Sequence, residues 1–208
     1  GRDVLEVGAG HGSLTARFAG DGRHVVATDL SVRCVDALRE RFAGRPDVEV
    51  LLGDVMDQPV QPVFDSVVLV NVLEHLSDDL GALRRLSGTL RPGGHVVVFV
   101  PAFEGLYSDF DRRVGHMRRY RRAELLTPFA EAGLEPVEGK YVNTVGALAW
   151  WLVVRQLGIV PTTRGLLRVY DRAAVPELRL LERGRRPPFG QSLFVAGRVA
   201  ERVAERPV

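Results

Sequence analysis

The first hundred residues alternate between short apolar runs and segments with the periodicity of an α-helix. The runs are Val4–Val7, Val25–Thr28, Val48–Leu52, Ser66–Val70 and His95–Val100. They are apolar almost throughout rather than at every second position, so both faces of each strand are expected to be buried. Strands that alternate with helices in this way form a parallel sheet with helices on both sides. The pattern therefore predicts a doubly wound α/β fold.

The second half of the sequence is less regular. A helix is predicted over 122–132, and strands are predicted over 134–141 and 192–199, the last as an antiparallel strand at the sheet edge. These additions give a seven-stranded, mostly parallel sheet. Residues 101–121 are expected to form a long loop. Residues 142–190 are expected to form a helical insertion on the acceptor side of the site.

Helix ends can also be predicted. Ser31 and Ser77 are residue types that cap helices, and each directly precedes a helical pattern. Asp78 and Asp79 then fall in the first turn of the second helix, where carboxylates interact favourably with the helix dipole. No linker composition divides the chain, so residues 1–208 are predicted to form a single domain.

Composition excludes several classes of protein. The net charge is only +2, and the arginines are interleaved with acids, so no nucleic-acid partner is expected. Cys34 is the single cysteine, which excludes an intrachain disulfide and a cysteine-based zinc site. No leader sequence and no apolar run long enough to span a bilayer are recognised. A cytoplasmic protein is therefore expected.

Three glycines, Gly8, Gly10 and Gly12, follow the first apolar run in "VLEVGAGHGSLT". A strand that enters such a turn and continues as a helix directs backbone N–H groups at a ligand. Asp29 ends the second run, about twenty residues on, where a carboxylate can accept both hydroxyl groups of a ribose. These features predict an adenosine-containing cofactor, but they leave open whether it is a dinucleotide.

Three further details bear on that choice. Residue 13, where the dinucleotide pattern has its third glycine, is serine. Glu6 lies two residues before the first glycine, and Asp54 follows the third run. Carboxylates at these places would repel a diphosphate and attract a cationic amino-acid group. The predicted cofactor therefore carries adenine, ribose and positive charge but no phosphate, a description that S-adenosylmethionine (SAM) meets.

Five segments stand in a familiar order: "LEVGAGHG", "VVATDLS", "LLGDVMD", "FDSVVLVNVLEHL" and "LRPGGHVVVFVPA". In this the sequence resembles the class I SAM-dependent methyltransferases, which have a Rossmann-like fold. The resemblance implies a methionine end of SAM lined by the glycine turn, a ribose bound by Asp29, adenine contacts and a residue that closes the pocket. The residues so implied are Glu6, Gly8, Ala9, Gly10, Gly12, Asp29, Leu30, Asp54, Val55 and Asn71. The helices that usually precede the first strand in this family are not recognised, so a more open site is expected.

Two histidines are candidates for the general base. His75 lies in "NVLEHLSDD", just after the fourth run, and "LEH" at this place is similar to the quinone-biosynthesis O-methyltransferases. The alternative is a structural histidine that holds the loop, with Glu74 bound to backbone. His116 lies in "LYSDFDRRVGHMRRYRR", which resembles a segment in a bacterial branch of the superfamily associated with glycosyltransferases or lipid-linked sugar pathways. In that segment Tyr107, Asp111 and Tyr120 are candidates for orienting an acceptor.

The same segment is rich in arginine. Its side chains at 118, 119, 121 and 122 could bind a phosphate or carboxylate group of the acceptor. Alternatively they are solvated or paired with Asp109, Asp111 and Glu124. No metal site is expected, because no carboxylate cluster beyond Glu74, Asp78 and Asp79 follows the fourth run.

Adjacent tryptophans, Trp150 and Trp151, are expected on different faces of one helix. The outward one would line an apolar acceptor pocket or rest at a membrane surface. The alternative is a core helix that packs inward or a dimer contact. A monomer or homodimer with at most peripheral membrane contact is expected.

Taken together, the motifs predict an enzyme that transfers a methyl group from SAM to a small-molecule or lipid-like acceptor, at oxygen. Transfer to nitrogen or carbon is the alternative within the same class. A nicotinamide oxidoreductase and a SAM-binding protein without catalytic activity are the alternatives from other classes.

Overall fold

A computed structural model describes residues 1–54, 56–57, 61, 63–156 and 187–200. The described residues form a seven-stranded sheet in the order β3-β2-β1-β4-β5-β7-β6. The strands are β1 (Asp3–Val7), β2 (His24–Asp29), β3 (Val48–Leu52), β4 (Phe64–Val70), β5 (Leu90–Pro101), β6 (Leu134–Val142) and β7 (Ser192–Val199). Strands β1 to β5 are parallel to one another, and β7 is antiparallel to both β5 and β6. The predicted fold class is confirmed.

The helices follow the predicted alternation. They are α1 (Thr15–Phe18), α2 (Val32–Arg41), α3 (Asp79–Gly88), α4 (Asp109–Val114), α5 (Arg122–Glu131) and α6 (Thr144–Ala149), which continues as a π-helix over Trp150–Gln156. Short 3₁₀ turns cover Leu73–His75 and Glu104–Leu106. The remainder of the predicted insertion, residues 157–186, lies outside the described residues. Within the described part, no helix is long and apolar enough to cross a membrane.

Three details of the sequence prediction need correction. The segment 101–121 is not a loop throughout, because it contains α4. Helix α3 is capped by the carboxylate of Asp78, which accepts from the Gly81 N–H at 2.7 Å, and not by Ser77. Strand β7 is antiparallel as predicted but lies one position in from the sheet edge, because β6 pairs with its outer side. The antiparallel pairs thus stand at this edge of the sheet.

The core lies on both faces of the central strands. Its largest cluster joins β1, β4 and β5 to α3 and α5, and its most deeply buried large side chains include Leu83, Leu86, Leu125 and Phe129. A second, smaller cluster packs Leu38 and Phe42 under the turn after β1. Burying these side chains on both faces leaves the carboxyl ends of the parallel strands as the edge at which β1, β2 and β4 open into loops.

The amino ends of β1 and β4 are joined by one carboxylate. Asp65 accepts hydrogen bonds from the N–H groups of Arg2 (2.6 Å) and Asp3 (3.1 Å) and from the Arg91 guanidinium (2.7 Å). Arg91 also bonds Asp3 at 2.7 Å. The hydrogen bonds from Asp3 and Arg91 outweigh the effect of burial and lower the pKa of Asp65 to about 2.

Replacing Asp65→Asn is expected to lower the free energy of unfolding at pH 7 by about 1 kcal/mol or less, because solvent screens a partly exposed pair. A carboxyl group with a depressed folded-state pKa stabilises the fold above its unfolded pKa and loses that effect as the pH falls. The difference between wild type and variant should therefore vanish between about pH 4 and pH 2 in urea titrations. Asp36→Asn, whose carboxylate is 67% exposed, is the control and should not show this change. A pH-independent difference for Asp65→Asn would contradict the assignment.

Candidate functional site

The turn between β1 and α1 is built from three glycines with positive φ angles of 70°, 57° and 73°. A Cβ atom at Gly12 would lie 2.6 Å from Phe42 and 2.7 Å from Leu38, so this glycine permits close packing on α2. A Cβ atom at Gly8 would lie 2.5 Å from Val72. At Gly10 nothing lies within 4 Å. Of the three, Gly10 is therefore the one whose backbone borders open space.

Two of the predicted cofactor residues near these glycines, Ala9 and Glu6, are buried. Ala9 is 8% exposed, and its N–H donates to the Thr28 carbonyl at 2.9 Å. Glu6 is 4% exposed and accepts a hydrogen bond from the Thr15 hydroxyl at 2.6 Å. Burial raises the pKa of Glu6, and the bond from Thr15 opposes that change. Glu6 thus ties β1 to α1 behind the turn, and its predicted contact with the cofactor stays a prediction.

The carboxyl end of β2 brings a carboxylate against the same turn. Asp29 accepts from the Gly10 N–H through Oδ2 and from the Ser31 N–H through Oδ1, both at 2.9 Å. The next side chain, Leu30, is 66% exposed. The Asp29 carboxylate thus lies next to the open backbone at Gly10 and to the exposed apolar side chain of Leu30. These are the features that a nucleoside site requires.

The other predicted cofactor residues occupy neighbouring loops. Asp54 follows β3 and accepts from the Met56 N–H at 2.8 Å, so one of its oxygens stabilises its own turn. Val55 lies outside the described residues. Asn71 follows β4, is exposed, and has a φ of 53°. Its N–H donates to the Phe99 carbonyl at 2.8 Å.

The loop after β4 lies beside the glycine turn, because β1 and β4 are adjacent and Val72 packs against Gly8. This loop carries His75, whose Nδ1 lies 3.1 Å from the Gly115 carbonyl. A carbonyl can only accept, so Nδ1 carries the proton and Nε2 keeps its lone pair. Burial and the neighbouring His116 lower the pKa of His75, and the bond to Gly115 opposes them.

A buried ion pair holds the second histidine. Asp111 is fully buried and accepts from Nε (2.9 Å) and Nη2 (3.0 Å) of Arg119. It also accepts from the backbone and hydroxyl group of Ser108. Its Oδ1 lies 2.8 Å from Nδ1 of His116. Burial alone would raise the pKa of Asp111, but the bonds from Arg119 and His116 hold it below its usual range.

The two histidines, predicted as rivals, lie together. Their ring centroids are 4.8 Å apart, edge to face. Glu74 completes the group: it is fully buried, neither of its carboxylate oxygens has a hydrogen-bond partner among the described residues, and Oε1 lies 3.7 Å from Nε2 of His116. Burial raises the pKa of Glu74 to about 7. One ligand atom from each of Glu74, His75 and His116 lies within 4.8 Å of the others, an arrangement that could hold a metal ion.

The sequence offered two roles for Asp111, orienting an acceptor or pairing with the arginines of its segment. Its bonds to Arg119 match the second. Glu74 was expected to bind backbone in the alternative that made His75 a structural residue. Its carbonyl group does accept from the Met117 N–H at 2.8 Å, but the sequence did not predict the unpaired state of its carboxylate among the described residues.

Both predicted tyrosines form hydrogen bonds with other groups of the protein. The Tyr120 hydroxyl is buried and donates to Asp79 (3.1 Å) and the Leu73 carbonyl (3.3 Å). Burial and the Asp79 carboxylate raise its pKa. Tyr120 therefore could not contact an acceptor without breaking these bonds. The Tyr107 hydroxyl is half-buried and donates to the His116 carbonyl at 2.8 Å, so it supports the cluster.

Two of the four predicted arginines are also engaged. Arg118 donates to Asp79 (3.1 Å) and to the Ser77 carbonyl (3.0 Å), and Arg119 is committed to Asp111. These contacts favour structural roles over binding of an acceptor anion. Arg121 and Arg122 are exposed.

The adjacent tryptophans face different surroundings, as predicted. Trp150 donates from Nε1 to the Leu106 carbonyl at 3.0 Å and packs edge-on against Phe110. The Arg119 guanidinium lies 5.3 Å from its ring. Trp151 is 48% exposed.

Residues 5–98 match a family model described as a methyltransferase domain. Demethylmenaquinone methyltransferase of Clavibacter sepedonicus is 34% identical over 99 residues, which cover 47% of this chain and 40% of that protein. Ubiquinone biosynthesis O-methyltransferase of Alkalilimnicola ehrlichii is 32% identical over 101 residues, which cover 47% of this chain and 40% of that protein. The chain thus spans well under two thirds of these relatives.

Among solved structures, the N-methyltransferase NodS from Bradyrhizobium japonicum, in complex with S-adenosyl-L-homocysteine, has a TM-score of 0.63 and 18% identity. The alignment covers 96% of this chain and 78% of that one, and it shows a shared fold. Together the matches confirm the predicted class, the class I SAM-dependent methyltransferases, for the domain at residues 5–98, and with it SAM as the cofactor of that domain.

The replacement Arg119→Met is expected to lower the free energy of unfolding by about 3 kcal/mol, because it leaves the buried Asp111 carboxylate without its cation. Urea unfolding measures this change. Arg112→Met removes the partner of Asp109, whose side chain is 69% exposed, and should change stability by less than about 1 kcal/mol. Equal losses in the two variants would show that the Asp111–Arg119 pair has no special role.

Proposed function

We propose that this protein transfers a methyl group from SAM to an oxygen atom of a small-molecule or lipid-like acceptor. The observation that carries the proposal is the position of His75. Its ring is fixed through Nδ1 by the Gly115 carbonyl, on a loop that packs against the glycine turn. An imidazole nitrogen with a free lone pair therefore lies next to the place expected for the sulfonium end of SAM.

On the cofactor side, the residues present fit the group. The backbone at Gly10 borders open space, and Leu30 offers an exposed apolar surface for adenine. Asp29 uses each carboxylate oxygen once, and each oxygen keeps a further lone pair for a ribose hydroxyl. Asp54 stands at the end of the neighbouring strand with one oxygen engaged in its turn. When bound, SAM supplies an electrophilic methyl group on a cationic sulfur.

On the acceptor side, the chain must orient a hydroxyl group and help it to lose its proton. His75 can activate the hydroxyl either by accepting the proton directly or by holding a metal ion that lowers the pKa of the hydroxyl. Fixed positioning of the acceptor in line with the methyl group supplies a further part of the rate, on the order of 7–11 kcal/mol of the barrier in well-oriented systems. The name of one relative, an O-methyltransferase of ubiquinone biosynthesis, supports oxygen as the methylated atom.

A lipid-like acceptor is supported by the surface near Trp150. Leu148, Trp151 and Leu152 are each about half exposed on α6 and the π-helix that follows it. These side chains are exposed on the same helix as Trp150, which bonds the Leu106 carbonyl, and the proposal places the apolar part of the acceptor against them.

Replacing Gly10→Ala is expected to weaken binding of S-adenosylhomocysteine at least tenfold, because the new methyl group would enter the space assigned to the cofactor. Gly22→Ala is a matched control. Gly22 also has a positive φ, of 73°, and also has nothing within 4 Å of a Cβ atom, but it precedes β2 at the opposite end of the sheet. Both variants should lose about 1 kcal/mol of stability from backbone strain. Calorimetric titration with S-adenosylhomocysteine should separate them.

Equal affinities of the Gly10→Ala and Gly22→Ala variants would contradict the placement of the cofactor. Titration with NAD provides a second check on the class of ligand. Tight binding of NAD by the wild type, without binding of SAM, would overturn the proposed function in favour of an oxidoreductase.

The activity itself is tested with methyl-labelled SAM and a panel of phenols, catechols and hydroquinones, with and without an isoprenoid tail. The His75→Ala variant should lower kcat by about 10²–10⁴-fold while affinity for SAM is retained. His24→Ala, at the amino end of β2, should leave the rate unchanged. NMR of the product should place the methyl group on oxygen; a methyl group on nitrogen or carbon would overturn that part of the proposal. SAM binding without turnover of any acceptor in the panel would favour a non-catalytic SAM-binding protein.

A further inference from the structure

We propose that Glu74, His75 and His116 bind a divalent cation of the zinc type. One ligand atom from each residue lies within 4.8 Å of the other two. Ligand–zinc distances of about 2.0–2.2 Å place neighbouring ligand atoms roughly 3–3.5 Å apart, so small side-chain rotations bring all three to one ion. The residues come from two separate segments, the 3₁₀ turn after β4 and the segment that follows α4.

Glu74 gives the observation that points to a ligand. Its side chain is fully buried, yet neither carboxylate oxygen forms a hydrogen bond of normal geometry within the described part of the chain. Buried carboxylates are normally paired, hydrogen-bonded or bound to a metal. The nearby guanidinium of Arg119 is already paired with Asp111, so it does not supply the missing partner. A cation between Glu74 and the two imidazoles would do so.

The histidines are oriented as metal ligands are. In each ring Nδ1 is engaged, in His75 with the Gly115 carbonyl and in His116 with the Asp111 carboxylate. A ligating histidine almost always donates its other N–H to a carboxylate or a backbone carbonyl, which fixes the ring and the tautomer. Nε2 of each ring is therefore left as the coordinating atom. Asp111 is itself fixed by Arg119 and Ser108, so the orientation of His116 is secured before any metal binds.

The donor set favours particular metals. Two imidazoles and one carboxylate suit Zn²⁺, Co²⁺ or Fe²⁺ better than Mg²⁺ or Ca²⁺, which prefer oxygen ligands only. Three protein ligands leave a coordination position open, as in catalytic rather than structural zinc sites. The role of the metal ion rests on the proposed function: the open coordination position would receive the acceptor hydroxyl group.

The proposed step balances as a simple displacement. Coordination lowers the pKa of the acceptor hydroxyl, and its proton passes to solvent. An oxygen lone pair then forms the new C–O bond, while the electrons of the broken C–S bond remain on sulfur and give S-adenosylhomocysteine. No oxidation or reduction is involved, so a redox-inactive ion such as Zn²⁺ is sufficient.

Metal binding is tested without SAM or acceptor, so its outcome is independent of methyl transfer. The full chain, freed of metal with a chelator, is titrated with Co²⁺ and with Zn²⁺. We expect one equivalent of Co²⁺ to bind with visible ligand-field absorption, and Zn²⁺ to displace it. His75→Ala, His116→Ala and Glu74→Gln should each weaken Zn²⁺ binding by about tenfold or more. Circular dichroism identifies any variant that fails to fold. His75→Ala is the variant least expected to misfold, because His75 is partly exposed.

His24→Ala is the matched control, because His24 also lies near a carboxylate, 3.9 Å from Asp3, but outside the cluster. Its Zn²⁺ affinity should equal that of the wild type. Absence of stoichiometric Co²⁺ binding, or unchanged affinity in folded His75→Ala and His116→Ala variants, would overturn the metal site. Full methyl transfer after chelation would overturn the catalytic role of the metal, while leaving the proposed function intact. Metal binding without methyl transfer would instead contradict only the proposed function.

Discussion

The cluster of Glu74, His75 and His116 depends on one buried interaction, the pair formed by Asp111 and Arg119. The Asp111 carboxylate accepts five hydrogen bonds, from Ser108, His116 and Arg119, and all three donors come from the segment that follows β5. Removing one partner of such a pair is strongly destabilising, because the charge that remains is buried and cannot be solvated. The pair therefore holds an otherwise irregular, charged segment in one conformation. It also fixes the ring of His116 against Glu74 and His75.

The fold was largely predictable because its signals are local. Strands β3 and β7 begin and end at the residues that the sequence predicted, and the glycine turn follows β1 as expected. Helix α4 was missed because its sequence, Asp-Phe-Asp-Arg-Arg-Val, has no apolar stripe. It forms through a capping box at Ser108 and Asp111 and through burial of that acid. The place of β7 between β5 and β6 was not predictable either, since local patterns do not fix strand order.

The same difference between local and long-range information applies to the site. Gly10, Asp29 and Leu30 could be predicted together because the carboxyl ends of adjacent parallel strands meet. His75 and His116 could be recognised only separately. Their contact depends on the path of the segment after β5, which the Asp111–Arg119 pair determines. The unpaired carboxylate of Glu74 is visible only once burial is known.

The position of β7 has a consequence for the order in which the protein is made. Strand β6 pairs only with β7 among the described strands, and the outer edge of β5 is likewise covered by β7. Because domains fold from the amino terminus as the ribosome releases them, β1 to β5 can assemble while β6 still has no partner. The strands that carry the glycine turn and Asp29 can thus be in place before β7 emerges. Until then the exposed edge of β5 is open to pairing with other nascent chains, and synthesis of residues 192–199 closes it.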